Sequence, residues 1–181
     1  WYLQGTVWGF NGAYSDEELN ILLTEEGAVE AGEFLRDLVQ SGTAAAVADP
    51  VQDFRTGVTA ATFASTGTLG NLRDSTDFEF KTAFLPAQYE FGCGTGGSGL
   101  AMIKNESTEV EQAAWEFINY CTSTDVTSFW AQATGYMPVR LSARDGEEMQ
   151  AYYDEYPNAR TAVEQLEKVQ PVDAVMVQVP N

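Results

Sequence analysis

Apolar residues recur at three- and four-residue spacing in the stretch that begins near Thr24. Glu25 and Glu26 lie in its first turn, where carboxylates favour the helix dipole, and Ser41-Gly42 can end the helix. This pattern predicts an amphipathic helix over the stretch. The same spacing predicts four more helices, from Ser107 or Thr108 to Cys121, from Thr124 to Ala133, from Ala143 to Tyr153 and from Asn158 to Val169.

Three short apolar runs between these helices predict strands: Val58 to Ala64, which we expect to be buried, Phe78 to Pro86, and Gly99 to Ile103. The hydroxyl- and glycine-rich stretch "STGTLGNLRDS" follows the first run and predicts a turn that opens a short helix. A strand that leads into a helix N-terminus is a common binding geometry. Because strands alternate with helices, the sequence indicates an α/β fold.

The charge of the chain narrows the choice of partners. The 181 residues include 27 acidic and 9 basic ones, and the net charge of −18 repels nucleic acids and anionic membranes. The sequence contains no apolar run of 18 residues, which is the length that would predict a bilayer span. The chain opens on Trp1-Tyr2-Leu3 without a methionine or a signal segment, and we expect a longer protein around it.

The two cysteines of the chain are Cys93 and Cys121. They lack the spacing typical of a metal site, and we expect buried free thiols rather than a disulfide.

The absence of histidine removes several kinds of chemistry. It excludes a Ser-His-Asp triad, a Cys-His dyad and a histidine metal site. Acidic pairs such as Glu25-Glu26 and Glu147-Glu148 fall at helix starts or on helical faces, where a capping or solvated role is the default. The glycine cluster "GTGGSG" lacks the ending of a phosphate-binding P-loop. We therefore predict no catalytic residues, no metal and no cofactor.

Aromatic and hydroxyl residues near turns are the remaining candidates. They occur at Trp1 and Trp8, in "STGT" from Ser65 to Thr68, in "TGGS" from Thr95 to Ser98, and at Tyr136. A sugar has an apolar C–H face and a rim of hydroxyls, so a site for it combines flat rings with short polar side chains and exposed backbone N–H groups. Taken singly, each candidate is more often a core or turn residue.

The order of motifs resembles family 1 extracellular solute-binding proteins of ABC importers, particularly the sugar and glycerol-3-phosphate branch. The motifs are "EAGEFLRDLVQSG", "FASTGTLGNL" with "FKTAFLP", "GTGGSGLAMIKNESTEVEQAAWEFINYCTS" and "FWAQATGYMPVR". The resemblance implies a two-lobed fold of the periplasmic-binding-protein type II, of which this chain is the C-terminal half. It places residues 1–92 in the second lobe, 93–133 in the first, and 134–181 in the second lobe with the hinge return and helices.

The same resemblance implies a ligand site and a cellular role. The ligand-binding residues would be Trp1, Ser65, Thr66, Thr68, Gly96, Gly97 and Tyr136. Near Val175 the glycerol-3-phosphate binders have an arginine that grips phosphate, so its absence here favours an uncharged sugar, oligosaccharide or polyol; Arg140 is expected to be structural. The partners would be the membrane permease subunits of the importer. The protein would work at the extracellular face of the membrane or in the periplasm, with its signal peptide and any lipid anchor outside this chain.

Three alternatives and one structural consequence remain open. A carbohydrate-active enzyme or a lectin-like module could use the same aromatic residues, and an enzyme would need two carboxylates that face the sugar. A glycerol-3-phosphate or phosphodiester receptor and a structural interaction domain are the other options. If the molecule exists as these 181 residues, the helices near 108–133 have lost the sheet they cover in the family. We then expect exposed apolar surface there, relieved by dimerisation, domain exchange or repacking.

Overall fold

A computed structural model of the protein describes residues 2–104 and 107–166. The helices within these ranges are α1 (Tyr2–Gly9), α2 (Glu26–Gln40), α3 (Pro50–Arg55), α4 (Leu69–Ser75), α5 (Thr108–Cys121), α6 (Thr124–Thr134), α7 (Leu141–Arg144), α8 (Glu147–Glu155) and α9 (Pro157–Gln165). A 3-10 turn at Thr66–Thr68 leads directly into α4.

All five predicted stretches are helical, but their ends differ and one stretch contains two helices. Helix α5 is capped by Ser107, whose Oγ accepts a hydrogen bond from the Val110 amide at 3.4 Å. Helix α6 is capped by Ser123, one residue before the predicted cap. The helix predicted from residue 143 to 153 is wrong as a single element, because Gly146 separates α7 from α8. The predicted end of the last helix, at Val169, lies outside the described residues.

The three predicted strands are not formed within the described residues. The backbone of these segments is extended or irregular, and the sole β-bridge there joins Ser15 and Ile21. A strand needs ladder hydrogen bonds to a neighbouring strand, and extended segments without one are not strands. The expectation that Val58 to Ala64 is buried is wrong, since Val58 is 72% exposed. The α/β class is therefore not confirmed by the described part of the chain.

Contacts divide the chain into two compact units. Unit 1 comprises the described parts of Trp1–Ala64, Thr82–Thr95 and Thr161–Asn181. Unit 2 comprises the described parts of Ser65–Lys81 and Gly96–Arg160. The assignment of segments to the lobes of a longer receptor stays a prediction.

Unit 1 is organised by the packing of α1 on α2. Val7 of α1 and Ala28 and Ala31 of α2 are buried together, and Phe10 and Tyr14 pack against them. The small alanines let the two helices approach closely, and burial of these side chains supplies the hydrophobic driving force.

Unit 2 is built from α4 to α8. Its most buried apolar residues lie on four helices, at Leu72 of α4, Ala131 of α6, Ala143 of α7, and Met149, Tyr152 and Tyr153 of α8. Helix α5 differs, since none of its residues is buried. Trp115 is 51% exposed and Phe117 59% exposed, so the expected apolar surface is present on α5.

Two further expectations concern the membrane and the cysteines. No helix among residues 2–104 and 107–166 is long and apolar enough to cross a membrane. Cys93 and Cys121 are free thiols, as expected, but both are half-buried rather than buried. Desolvation raises the pKa of the Cys93 thiol.

Candidate functional site

The 3-10 turn of unit 2 presents three hydroxyl side chains in four residues. Ser65 caps the turn, and its Oγ accepts a hydrogen bond from the Gly67 amide at 3.3 Å. The Thr68 hydroxyl donates to the carbonyl oxygen of Ser65 at 2.7 Å. Ser, Thr and Gly favour this local geometry because hydroxyls bond nearby backbone groups and glycine allows close approach.

Tyr136 follows the C-terminal end of α6. Gly135 ends that helix with φ of +92°, a left-handed conformation that favours glycine, and its N–H donates to the Ala131 carbonyl at 2.8 Å. The Tyr136 N–H then donates to the Thr134 hydroxyl at 3.1 Å. Tyr136 is 36% exposed as a residue. The helix end thus fixes the backbone that carries Tyr136 and leaves part of the residue in solvent.

Three glycines bring the 3-10 turn against this helix end. A Cβ on Gly67 would lie 2.6 Å from Cζ of Tyr136, so the tyrosine ring packs directly on the turn backbone. A Cβ on Gly70 would lie 2.9 Å from the Ala133 carbonyl oxygen, and one on Gly135 would lie 2.5 Å from the Thr66 carbonyl oxygen. These distances are too short for real side-chain carbons. The close approach therefore depends on all three positions lacking a side chain.

The hydrogen bonds within this cluster decide which groups are free for a ligand. The proton of the Thr68 hydroxyl is committed to the Ser65 carbonyl. Among the described residues, the Thr66 hydroxyl and the Tyr136 hydroxyl have no hydrogen-bond partner. A hydroxyl can donate one hydrogen bond and accept two. Thr66 and Tyr136 consequently offer hydroxyls without a partner in the described part of the chain, Ser65 keeps its O–H donor, and Thr68 serves mainly to hold the turn.

The remaining predicted site residues are placed differently. Gly96 and Gly97 lie in an exposed segment of unit 2 without regular secondary structure, and a Cβ on Gly97 would have no neighbour within 4 Å. The structure does not pack Gly97 against the turn. Trp1 and Val175 lie outside the described residues. The structure thus brings together Ser65, Thr66, Thr68 and Tyr136 out of the predicted set.

Arg73 forms a second polar cluster that the sequence analysis did not identify. Its Nη1 donates to the Tyr152 hydroxyl at 3.2 Å and to the Gln132 carbonyl at 3.4 Å, and its guanidinium lies 5.2 Å from the Tyr156 ring centroid. Asp74 accepts from its Nε at 2.8 Å; this bond raises the pKa of Arg73 and lowers that of Asp74. These residues border a groove of about 440 Å³.

The groove at Arg73 is better explained by structure than by a ligand. The guanidinium joins α4 to the end of α6 and to α8, because its N–H groups donate hydrogen bonds to groups of the protein itself. Cation–π contact with Tyr156 adds to the same connection. Residues 73 and 152 are 79 positions apart, so no local pattern could have indicated their pairing. We assign Arg73 to the cohesion of unit 2.

The other arginines of unit 2 are also engaged. Arg140 donates to the Thr122 carbonyl, Arg144 pairs with Asp145, and Arg160 pairs with Asp154 at 3.3 Å. Within the part of the chain that the structure describes, no group of three or more Cys, Asp or Glu side chains could hold a metal ion. The Ser65–Thr68 turn and Tyr136 therefore form a site of neutral hydroxyls, glycine backbone and one aromatic ring.

Comparison with known proteins shows consistent similarity to solute receptors. Residues 1–160 match the family model for bacterial extracellular solute-binding proteins. The crystal structure of UgpB from Mycobacterium tuberculosis in complex with glycerophosphocholine superposes with a TM-score of 0.91 and 38% identity over 99% of this chain and 46% of that one. The cyclic α-maltosyl-1,6-maltose binding protein from Arthrobacter globiformis shares the fold, with a TM-score of 0.79 and 23% identity over 97% of this chain and 46% of that one.

Sequence similarity to named proteins points in the same direction. The sn-glycerol-3-phosphate-binding periplasmic protein UgpB of Escherichia coli K12 is 26% identical over 123 residues, which is 65% of this chain and 28% of that protein. The UgpB protein of Yersinia pestis is 27% identical over 118 residues, 62% of this chain and 27% of its own length. The chain thus spans less than half of the length of the proteins that it matches.

Proposed function

Because the chain belongs to the bacterial extracellular solute-binding proteins, we propose that it forms part of the substrate-binding component of an ABC importer. The component captures an extracellular carbohydrate or polyol between two lobes and performs no chemistry on it. The observation that carries this proposal is the packing of Tyr136 on the hydroxyl-bearing Ser65–Thr68 turn. Family membership together with that cluster favours a receptor over an enzyme or a lectin-like module.

The chemistry of the cluster favours an uncharged, hydroxyl-rich ligand. The tyrosine ring offers a flat face for the C–H side of a sugar, while the free Thr66 and Tyr136 hydroxyls can exchange hydrogen bonds with its hydroxyl groups. Each arginine of unit 2 already has a partner within the protein, so none of these guanidinium groups is reserved for a phosphate. A ligand that binds the closed arrangement of the lobes more tightly shifts the receptor population toward it.

A glycerophosphodiester is the second candidate ligand. It is favoured by the 38% identity to the Mycobacterium tuberculosis protein that was crystallised with glycerophosphocholine. A cation for the phosphate would then have to come from residues outside the Ser65–Thr68 and Tyr136 cluster. Both candidate ligands have a carbon skeleton that carries hydroxyl groups. They differ in whether the binding site must recognise a charged phosphate.

The proposal extends to residues and partners that the cluster does not include. Trp1, Gly96 and Gly97 are proposed as further ligand contacts, and the permease subunits as the membrane partner. The exposed face of α5 and the three extended segments fit a receptor in which additional strands pair with them and cover them. The assignment of residues 93–133 to the first lobe, and dimerisation or domain exchange, stay predictions.

Isothermal titration calorimetry on the natural full-length protein tests the proposal. The ligand panel comprises maltose, trehalose, glycerol, glycerol 3-phosphate and glycerophosphocholine, and the solution is analysed for products afterwards. We expect binding of a neutral sugar or polyol without turnover. Binding of the phosphate esters alone would establish the second candidate, and hydrolysis of a bound sugar would overturn the receptor assignment.

A further inference from the structure

Gly67 makes an unusual contact with the only aromatic ring of the cluster. A Cβ at this position would lie 2.6 Å from Cζ, 2.7 Å from Cε2 and 2.9 Å from the hydroxyl oxygen of Tyr136. The ring therefore rests on the backbone of residue 67 at a depth that a side chain would forbid. Carbon atoms normally stand about 3.5–4.0 Å apart, so an added methyl group would displace the ring by about 1 Å.

The backbone around this contact cannot retreat to make room. Gly135 approaches the Thr66 carbonyl and Cβ of Leu69, and Gly70 approaches the Ala133 carbonyl oxygen. These contacts hold the 3-10 turn and the end of α6 together. The Tyr136 side chain has two torsions, and the residue is 36% exposed. An added group at residue 67 is consequently relieved by movement of the ring rather than of the chain.

We propose that Gly67 is a positioning residue for ligand binding, because its missing side chain sets the depth of the Tyr136 ring. The inference rests on the proposed function and deepens it. The ring face and the free hydroxyl of Tyr136 are the groups that would meet a sugar or polyol, and both move outward if residue 67 carries a Cβ. Gly67 thereby acts on the ligand through Tyr136 without a contact of its own.

A double-mutant cycle on the natural full-length protein tests this coupling. Calorimetry measures Kd for the member of the panel that the wild-type protein binds, with Gly67→Ala, Tyr136→Ala and the double variant compared. We expect Gly67→Ala to raise Kd by about tenfold or more, equivalent to about 1.4 kcal/mol. The double variant should bind no more weakly than Tyr136→Ala, since the added methyl group then has no ring to displace.

A matched glycine separates this effect from a general cost of adding a methyl group. Gly32 lies on the exposed face of α2 in unit 1, and a Cβ there would have no neighbour within 4 Å, so Gly32→Ala should leave Kd unchanged. A Kd for Gly67→Ala within twofold of wild type overturns the inference. The inference is also overturned if the fold-change in Kd of the double variant equals the product of the fold-changes of the two single variants.

Two other outcomes are also decisive. If Gly67→Ala does not fold, the comparison of Tyr136→Ala with the double variant gives the answer: equal Kd values support the steric coupling, and a further tenfold loss overturns it. If the wild-type protein binds no compound of the panel, the proposed function itself fails. The failure of the positioning inference, in contrast, is recognised by normal binding in Gly67→Ala.

Discussion

Two adjacent tyrosines of α8 test how a hydrogen bond to a buried hydroxyl group affects the stability of the fold. Tyr153 is 3% exposed, and its buried hydroxyl oxygen has no hydrogen-bond partner among the described residues. Tyr152 is 8% exposed, and its hydroxyl accepts a hydrogen bond from Arg73 at 3.2 Å. Replacement by phenylalanine removes only the hydroxyl in each case and keeps the ring contact between the two residues, whose centroids are 6.1 Å apart.

The two substitutions should change stability in opposite directions. A buried polar group without a partner costs about 1–3 kcal/mol of desolvation, part of which Tyr153→Phe recovers, so we expect a gain of about 0.5–1.5 kcal/mol. Tyr152→Phe removes a partner of the Arg73 guanidinium, which is partly exposed and can recruit water. We expect a loss of about 1 kcal/mol. The two variants lie in the same helix and remove the same group.

Urea unfolding followed by far-ultraviolet circular dichroism measures both effects. With an m-value of about 2–3 kcal/mol/M, Tyr153→Phe should raise the urea midpoint by about 0.2–0.8 M, and Tyr152→Phe should lower it by about 0.3–0.5 M. An equal loss in both variants would refute the reasoning. It would mean that the Tyr153 hydroxyl has a partner that stabilises the folded state.

The pH dependence of stability gives an independent measure of the Tyr153 hydroxyl. Burial raises the pKa of this phenol, while the charges of Arg144 and Arg160 act against that rise. As pH rises above about 10, a tyrosine of the unfolded chain releases its proton and the folded Tyr153 keeps it, so the folded state binds more protons. Stability therefore falls as pH rises from about 10 to the folded pKa, and the fall should be smaller in Tyr153→Phe. Parallel profiles for the two proteins would contradict this expectation.

Two glycine substitutions give contrasting predictions. Gly32→Ala should stabilise the protein by about 0.5–1 kcal/mol in thermal or urea unfolding, because alanine favours a helix and its methyl group meets no neighbour. A destabilised Gly32→Ala would show that α2 packs differently. Gly135→Ala should cost at least about 2 kcal/mol, because residue 135 has a φ of +92° and its Cβ would lie 2.5 Å from the Thr66 carbonyl oxygen. Unchanged stability of Gly135→Ala would argue against the close approach of the turn to α6.

The helices with strong apolar periodicity could be predicted from the sequence. Helix α2 falls within the predicted stretch, and α5 begins after one of the two predicted caps. Helix α1 was missed because its eight residues include two glycines and show no amphipathic pattern. Helix α3 was missed because six residues are too few for a periodic signal, although Asp49 followed by Pro50 is a recognisable helix start.

The remaining differences arise from interactions that a local pattern does not contain. A strand depends on a partner strand, so the extended segment from Val58 to Ala64 could not be judged by its own composition. The close contact of Gly67 with Tyr136 depends on how α4 packs on α6, and it is visible only in three dimensions. Family resemblance nominated Tyr136 and the hydroxyl turn, whereas Arg73 carried no signal of its own in the sequence.

The three glycines at the 3-10 turn reverse the usual meaning of an alanine scan. At most positions alanine removes atoms, and the measured loss reports on contacts that those atoms made. At Gly67, Gly70 and Gly135 alanine adds an atom to space that the backbone or the Tyr136 ring already occupies. A scan that skips glycines would therefore pass over the positions at which this surface is most sensitive. Natural variation at those positions would be read more safely as a change in how the turn packs on α6 than as neutral drift.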